Sequence, residues 1–465
     1  MSNRRAAMTL EQGSESLQSD IEQQLESVQR LFQQETEAEL PSLLRAWTVS
    51  HRQNADIEAV LDAAERLRAE YKALATVGIG GSDLSARVYH ETLNPPYFNM
   101  RPNVRGAAPE AYFAGDTFDP MRLNALLDSL EERSLLEKTC VNVISKSGRT
   151  GETIAALMII RERLKARAGS RWSRQIAATT GLNEDSELYR MSRKHAFLTP
   201  DPLPIREGVG GRFSAFSPVG LLFLAAASPE GVSPRERVHE LLAGVESAHR
   251  RFHLPSGDPD NIAYRLAGWL HQQERNEGRT ALVFYHYADN QRLGEWFTQL
   301  YSESLQERGE GLDVLPARGP TSNHSMLNGI LNGPRNKAVL FLHWSDLGND
   351  LRIPTETGVS GDMKAFEGLS MSQAQTASYQ GTAADLLEKG LPYRTLQAPV
   401  RDARCLGELM RILMDVVAVK GRLQDLHLND KGELNLRAEE TYLQSAVEGY
   451  KKRTREYAEA QRSRS

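Results

Sequence analysis

Cysteine is scarce in this chain of 465 residues, with Cys140 and Cys405 as the two examples. Two thiols so far apart fit neither a disulfide framework nor a cysteine-rich zinc module. Low cysteine usage is typical of proteins in a reducing compartment. We therefore expect a cytoplasmic protein that needs no covalent crosslinks.

Long apolar runs are missing as well. Stretches such as residues 219–227 (VGLLFLAAA) are far shorter than the roughly 20 residues that a membrane-spanning helix requires. The first twenty residues contain two arginines but no apolar core after them, which is not the pattern of a secretory signal. These features predict neither a transmembrane segment nor a membrane partner.

An excess of basic charge is also absent. Lys and Arg together number 56 against 61 Asp and Glu, for a formal net charge of −5. This near balance argues against a dominant basic face, so no nucleic-acid partner is expected. The GxxxxGK[ST] loop of nucleotide triphosphatases and the HExxH zinc motif do not occur in the sequence. No local motif therefore indicates nucleotide triphosphate hydrolysis or zinc-dependent catalysis.

What the chain does contain is an alternation of short apolar runs and helical segments. Runs such as CVNVI (residues 140–144), ALVFY (281–285) and AVLFL (338–342) read as buried strands, and residues 197–198 read as another. Helical periodicity covers residues 10–71 and the segment from 401 to the end. The pattern predicts an α/β protein with two tandem units of mostly parallel sheet between helices. The expected division is an N-terminal helical segment 1–50, α/β domains 51–250 and 251–400, and a C-terminal helical segment 401–465.

A hydroxyl-rich segment follows the run CVNVI and opens a helix. Residues 145–153 (SKSGRTGET) combine four hydroxyls, one lysine and two glycines at the carboxyl end of a predicted strand. Such a set of donors suits the phosphate of a small phosphorylated metabolite. The alternative is a simple helix cap, because Thr150 and Thr153 are good N-cap residues.

Two glycine-rich turns are further candidates. Residues 78–82 (GIGGS) follow a predicted strand, where glycines allow a ligand to approach the backbone. Asp83 stands where the dinucleotide fingerprint needs a glycine, which weakens that interpretation. Residues 208–214 (GVGGRFS) hold Arg212, whose guanidinium can face an anion. A ligand-free turn and a solvated surface arginine are the alternatives.

Two titratable residues occur in the second half. Gln299 and Glu303 are four residues apart and therefore share one helical face beside an apolar stripe, where a carboxylate could serve as a base. His324 lies in a loop, residues 319–325 (GPTSNHS), just before another helical run. Taken singly, a surface glutamate and a structural histidine are the better explanations.

Together and in this order, GIGGS, SKSGRTGET, GGRFS, QLYSES and SNHS resemble the phosphoglucose isomerase family. The resemblance runs from Gly78 to the C-terminal helix. It implies two flavodoxin-like sugar-isomerase (SIS) domains, each an α/β/α sandwich, in a homodimer that needs no metal or other cofactor. The implied reaction is the interconversion of glucose 6-phosphate and fructose 6-phosphate in glycolysis and gluconeogenesis.

The resemblance also implies a role for individual residues. Glu303 would be the base that moves a proton between C2 and C1, and Arg212 would stabilise the enediolate. His324 would assist ring opening from the neighbouring subunit. The segment 444–451 (QSAVEGYK) matches the family's terminal motif and points to Lys451 as the last catalytic group, with Lys452 as the fallback. The implied substrate-binding residues are Gly81, Ser82, Ser145, Lys146, Ser147, Thr150, Thr153 and Gln299.

Four positions depart from the family pattern without removing a catalytic group. They are Arg149 in the hydroxyl-rich loop, Glu307 after the QLYSES motif, Asn323 before the histidine and Ala446 in the terminal motif. Another sugar-phosphate isomerase, for instance one that also accepts mannose 6-phosphate, stays open. A regulatory sugar-phosphate-binding module would not need Glu303, His324 and Lys451 together. An amidotransferase would need an N-terminal cysteine nucleophile, and the first 139 residues contain no cysteine.

Overall fold

The structure is a computed structural model of the chain. It describes residues 8–13, 16–199, 201–307, 309–355, 358, 360–428, 434–435 and 440–463. The strands are β1 (Thr9–Gln12), β2 (Ala73–Val77), β3 (Glu110–Ala114), β4 (Thr139–Ile144), β5 (Ile176–Thr180), β6 (Leu203–Pro204), β7 (Ala281–Tyr287), β8 (Asp313–Arg318), β9 (Lys337–Trp344), β10 (Tyr393–Ala398), β11 (His427–Leu428) and β12 (Leu434–Asn435).

The α-helices of the described chain alternate with these strands. They are α1 (Ser19–Gln34), α2 (Asn54–Glu70), α3 (Leu84–Leu93), α4 (Pro102–Arg105), α5 (Pro120–Glu132), α6 (Gly151–Ala168), α7 (Glu187–His195), α8 (Pro218–Ala226), α9 (Pro234–Phe252), α10 (Ile262–Arg275), α11 (Gln291–Leu305), α12 (Leu327–Leu331), α13 (Met371–Glu388), α14 (Ala403–Asp425) and α15 (Ser445–Arg462).

The chain forms two compact units, each built from two separate stretches. One consists of residues 35–242 and 442–465, and we call it the phosphate-loop unit after the segment 145–153, which the sequence predicts to bind phosphate. The other consists of residues 1–34 and 243–441, and we call it the α11 unit. Each unit thus combines one end of the chain with a distant stretch of the sequence. The four ranges expected from the sequence begin and end at other residues and stay a prediction.

The sheet of the phosphate-loop unit has the strand order β3-β2-β4-β5-β6, and every neighbouring pair is parallel. β2 and β4 are buried along their whole length, as expected for strands covered on both faces. One face packs on α5, α6 and α7 through residues such as Leu127, Leu157 and Leu188. This is the 2-1-3-4-5 order of flavodoxin-like folds.

The sheet of the α11 unit repeats that order in β8-β7-β9-β10 and adds β1 at the edge. The four central strands are parallel, and β1 is antiparallel to β10. Val283 and Phe341 pack on α12 and α13. On the other face, Phe284 packs against Phe297 of α11 with ring centroids 4.8 Å apart and the rings tilted by 56°. The predicted α/β class with mostly parallel sheets and helical extensions is confirmed.

Three local expectations were wrong. The helix expected from residue 10 begins at Ser19, because β1 pairs with β10 instead. Residues 197–198 are not a strand; Phe197 is buried in the core, and the fifth strand is Leu203–Pro204. The C-terminal region is not helical throughout, since β11, β12 and a short 3₁₀ helix lie between α14 and α15. No helix in the described part of the chain is long and apolar enough to cross a membrane.

Candidate functional site

The topology of the phosphate-loop unit places two of the predicted motifs side by side. Parallel α/β sheets bind ligands beyond the carboxyl ends of their strands, where the strand order reverses. In this unit the reversal lies between β2 and β4. Residues 78–82 follow β2 and residues 145–150 follow β4. The two loops therefore meet at the position that the fold offers to a ligand.

The hydroxyl-rich loop after β4 is held by hydrogen bonds and by close packing against neighbouring segments. The hydroxyls of Ser145 and Thr150 lie 3.0 Å apart, and the hydroxyl of Thr180 donates to the Ser145 carbonyl at 2.7 Å. Gly148 has a φ of +62°, and a Cβ there would lie 2.6 Å from the Leu188 nitrogen. The alternative of a simple helix cap is not seen at Thr150, because its side chain makes no cap hydrogen bond and its hydroxyl faces Ser145.

The two residues between Ser145 and Gly148 face outward. Lys146 and Ser147 are both exposed. The Lys146 ammonium nonetheless lies against the chain, where it donates to the Val209 carbonyl at 2.9 Å. Loss of surrounding water lowers the pKa of Lys146, and the nearby Glu207 carboxylate opposes that shift. Arg149, which departs from the family pattern, turns away to the carbonyl of Asp185 at 2.8 Å.

The two glycine-rich turns are in direct backbone contact. A Cβ on Gly81 would lie 2.1 Å from the Gly211 carbonyl carbon and 2.6 Å from the Arg212 nitrogen. The Ser214 hydroxyl is placed between them, 2.6 Å from the Gly211 carbonyl and 3.3 Å from the Gly81 carbonyl. Glycine at position 81 is therefore required by this close approach. Ser82, next in the same turn, is half-buried.

Arg212 is buried beneath a cavity of about 360 Å³ within this unit. Its guanidinium donates to the Leu443 carbonyl at 3.0 Å. Phe213 and Tyr442 form an aromatic wall, with ring centroids 5.3 Å apart. The cavity is lined by Leu44, Lys146, Gly210, Gly211, Arg212, Phe213, Tyr442, Leu443, Gln444, Ser445 and Glu448. Two cationic side chains predicted for the site, Lys146 and Arg212, thus line one space.

The C-terminal helix α15 joins the same unit. Lys451 is 34% exposed and pairs with Glu448 at 2.7 Å, whereas Lys452 is exposed. That hydrogen bond is the main reason why the pKa of Glu448 is lowered. The Tyr450 hydroxyl donates to Glu152 of α6 at 3.1 Å, so α15 is attached to the helix that follows the phosphate loop.

In the α11 unit, Gln299 and Glu303 form a pair on α11. The Gln299 amide donates to the Glu303 carboxylate at 3.1 Å, as their four-residue spacing predicts. The expected apolar stripe beside them is buried and includes Leu293, Trp296 and Leu300. The arrangement therefore presents an oriented carboxylate at the edge of an apolar helix face.

His324 ends a short 3₁₀ helix, Thr321–His324, in the loop after β8. Its neighbour Asn323 accepts hydrogen bonds from the buried Tyr285 and Tyr287 and donates to Thr382 at 3.0 Å. The His324 ring itself is exposed. Asn323, which departs from the family pattern, thus anchors the loop and leaves the histidine on the surface.

The predicted site residues are divided between the two units. Residues 81, 82, 145, 146, 147, 150, 153, 212 and 451 belong to the phosphate-loop unit, and residues 299, 303 and 324 belong to the α11 unit. Thr153 is fully buried, with its hydroxyl 3.4 Å from the Gly115 carbonyl, so a direct substrate contact for it stays a prediction. Among the described residues, no group of three or more His, Cys, Asp or Glu is arranged to hold a metal ion.

Comparison with known proteins decides the family. Residues 55–312 match the model of the family described as phosphoglucose isomerase, and this range is more than half of the chain. The chain belongs to the phosphoglucose isomerase family. A glucose-6-phosphate isomerase from Rubrobacter xylanophilus is 32% identical over 85% of this chain and 88% of its own length. One from Carboxydothermus hydrogenoformans is 30% identical over 86% and 84%.

Solved structures share the fold of this chain. A hypothetical protein from Thermus thermophilus superimposes with a TM-score of 0.79 at 27% identity, covering 95% of this chain and 96% of that one. A glucose-6-phosphate isomerase from Chlamydia trachomatis has a TM-score of 0.74 at 18% identity, covering 98% and 89%. The second likeness shows the fold alone.

One cavity residue was missed in the sequence. Gln444 lines the same cavity as Lys146 and Arg212. It is the first residue of the terminal motif 444–451, from which only the lysine was selected. The available signal was its position at the start of that motif, directly before α15.

Proposed function

We propose that this protein interconverts D-glucose 6-phosphate and D-fructose 6-phosphate through an enediolate intermediate. The observation that carries the proposal is the loop 145–150 at the strand-order reversal, with Lys146 and Arg212 lining one cavity in a chain of the phosphoglucose isomerase family. The reaction belongs to glycolysis and gluconeogenesis.

The phosphate of the substrate is bound by the loop after β4. Ser145, Ser147 and Thr150 supply hydroxyl donors, and the Lys146 ammonium supplies charge. Ser82, in the turn that meets this loop, contacts the sugar. Fixing the phosphate holds the reacting carbons in place and converts binding energy into orientation.

The Glu303 carboxylate is the base. It removes the proton from C2 of the open-chain aldose, the C–H electron pair forms the C1=C2 double bond, and the carbonyl electron pair moves to O1 to give the enediolate. Glu303, whose proton exchanges in part with water, then protonates C1, while the proton of the C2 hydroxyl is transferred to O1 and the C2 carbonyl forms. Gln299 supports this role because its amide fixes one carboxylate oxygen at 3.1 Å. Arg212 stabilises the negative oxygen of the intermediate, which needs a cation in a buried setting.

His324 and Lys451 act on the sugar ring, and His324 also bears on the oligomeric state. His324 and Lys451 move protons at the ring oxygens, and the half-buried position of Lys451 supports it over the exposed Lys452. The exposed His324 supports a homodimer in which each histidine serves the partner's site. The two cysteines are free and buried, in keeping with a cytoplasmic enzyme.

A coupled assay with fructose 6-phosphate tests this function. The wild type turns over, and Glu303→Gln loses activity by roughly a thousandfold or more, because the amide cannot accept the proton. Glu295→Gln is the matched control, since it makes the same change on α11 at a surface pair with Arg292 and keeps near wild-type activity. An inactive wild type would refute the function, and an active Glu303→Gln would refute the base.

A further inference from the structure

Two buried polar side chains and one partly buried carboxylate lie around the C-terminal end of α11. Lys420 and Gln424 lie one helical turn apart on α14, a helix whose residues 405–425 are all buried. Glu274 lies near the end of α10. We call Lys420, Gln424 and Glu274 the α11 anchor. All three belong to the α11 unit and lie outside the set of residues that the proposed mechanism uses.

Gln424 holds the last turn of α11. The last four carbonyls of a helix have no partner within it, and a buried one needs a donor from elsewhere. The Gln424 amide donates to the carbonyl of Leu305, the last residue of α11, at 3.1 Å in a buried setting. Leu305 is two residues after Glu303, so this bond joins α14 to the turn that carries the proposed base.

The ion pair between Lys420 and Glu274 holds the loop that follows α11. Lys420 is completely buried and lies 2.6 Å from the Glu274 carboxylate. The other carboxylate oxygen of Glu274 accepts from the Gly311 nitrogen at 2.7 Å, in the loop between α11 and β8. Burial raises the pKa of Tyr301 on α11, and the nearby Glu274 charge raises it further, so this carboxylate also faces α11.

We propose that the α11 anchor is a set of positioning residues for Glu303, with Gln424 as its most direct member. The anchor fixes the last turn of α11 and thereby the direction in which the Glu303 carboxylate meets the substrate. This inference rests on the proposed function, in which Glu303 is the base. Buried polar contacts of this kind favour one arrangement of the helix end over its alternatives.

Gln424→Met tests the proposal, because methionine has nearly the same length but no amide donor. We expect kcat to fall by about tenfold to a hundredfold with KM within about twofold of wild type, since small displacements of a catalytic group carry such costs. In hydrogen-exchange measurements, the peptide that covers residues 301–306 should exchange faster in the variant.

Gln175→Met is the matched control. Gln175 is a buried glutamine whose amide donates to the backbone carbonyls of Leu136 and Thr139, at 2.7 and 3.0 Å, in the phosphate-loop unit. This variant should lose stability while its kcat at 25 °C stays near that of wild type. A kcat loss equal to that of Gln424→Met would assign both effects to general destabilisation and overturn the proposal.

The ion pair is tested by the double variant Lys420→Met/Glu274→Gln, which removes both charges and leaves neither buried alone. We expect it to fold and to show a reduced kcat with little change in KM. If the wild type turns over but neither this variant nor Gln424→Met changes kcat, the positioning role is refuted and the proposed function stands. If the wild type does not turn over, the proposed function fails, and the inference fails with it.

Discussion

Lys146 combines an exposed position with a lowered pKa. Its ammonium lies against the Val209 carbonyl, and the loss of water there lowers its pKa from the ordinary 10.5. Between the lowered pKa and 10.5, the folded chain binds fewer protons at this site than the unfolded chain does. This group therefore makes the free energy of unfolding increase with pH in that interval.

The same shift predicts a pH effect on catalysis. Because a dianionic phosphate needs the charged ammonium, kcat/KM for fructose 6-phosphate should decrease as the pH rises through the pKa of Lys146, below 10.5. The decrease should be absent in Lys146→Arg, whose guanidinium keeps its proton. Lys146→Met should lose about tenfold to a hundredfold of kcat/KM at neutral pH. An alkaline limb that persists unchanged in Lys146→Arg would contradict this assignment.

The turn after β2 is constrained by its close contact with the loop that holds Arg212. This turn and that loop are in direct backbone contact at Gly81 and Gly211. Gly81→Ala should therefore separate the two loops and displace Arg212. We expect a loss of about 1–3 kcal/mol in the free energy of unfolding, as for other overpacked sites, together with a lower kcat/KM.

Gly449→Ala provides the comparison for that variant. Gly449 lies in α15 with no atom within 4 Å of an added Cβ, so alanine there should keep or slightly raise the melting temperature. The coupled assay and thermal unfolding measure both variants. Wild-type kcat/KM in Gly81→Ala would show that the contact between the loops does not position Arg212.

Elements with a strong periodic pattern were predictable from the sequence. The buried strands β2, β4, β7 and β9 appear as continuous apolar runs, and the pair on α11 follows from its four-residue spacing. β1 was missed because this short polar edge strand is fixed by pairing with β10, whose residues lie more than 380 positions later in the sequence, and its composition does not show that contact. Residues 197–198 were wrongly predicted as a strand because Phe197 is buried in the core, and burial does not require strand pairing.

Contacts between distant segments account for the rest. Gln444 lines the cavity because residues 442–465 belong to the unit formed by residues 35–242. Lys420 and Gln424 are polar positions within an apolar helix, and the sequence does not reveal that they face the end of α11. The assignment to two compact units made of discontinuous stretches likewise depends on long-range packing, which local patterns do not report.

The chain as a whole carries all the groups of the proposed mechanism, and in the homodimer that we propose His324 serves the partner's site. Mixing Glu303→Gln with His324→Ala after subunit exchange should then restore activity, because each mixed dimer holds one site with both groups intact. Equal amounts should give roughly a quarter of the wild-type rate, since half of the dimers are mixed and each has one working site. No recovery despite demonstrated exchange would contradict a shared site.

Transfer of solvent hydrogen to the product tests the enediolate route and the role of Glu303 most directly. Fructose 6-phosphate is converted in D₂O, and glucose 6-phosphate is examined for deuterium at C2. The wild type should place deuterium at C2, because the proton held by Glu303 exchanges with solvent before it returns to carbon, and Glu303→Gln should place none. Rapid formation of glucose 6-phosphate without deuterium at C2 would indicate direct hydride transfer and contradict the mechanism.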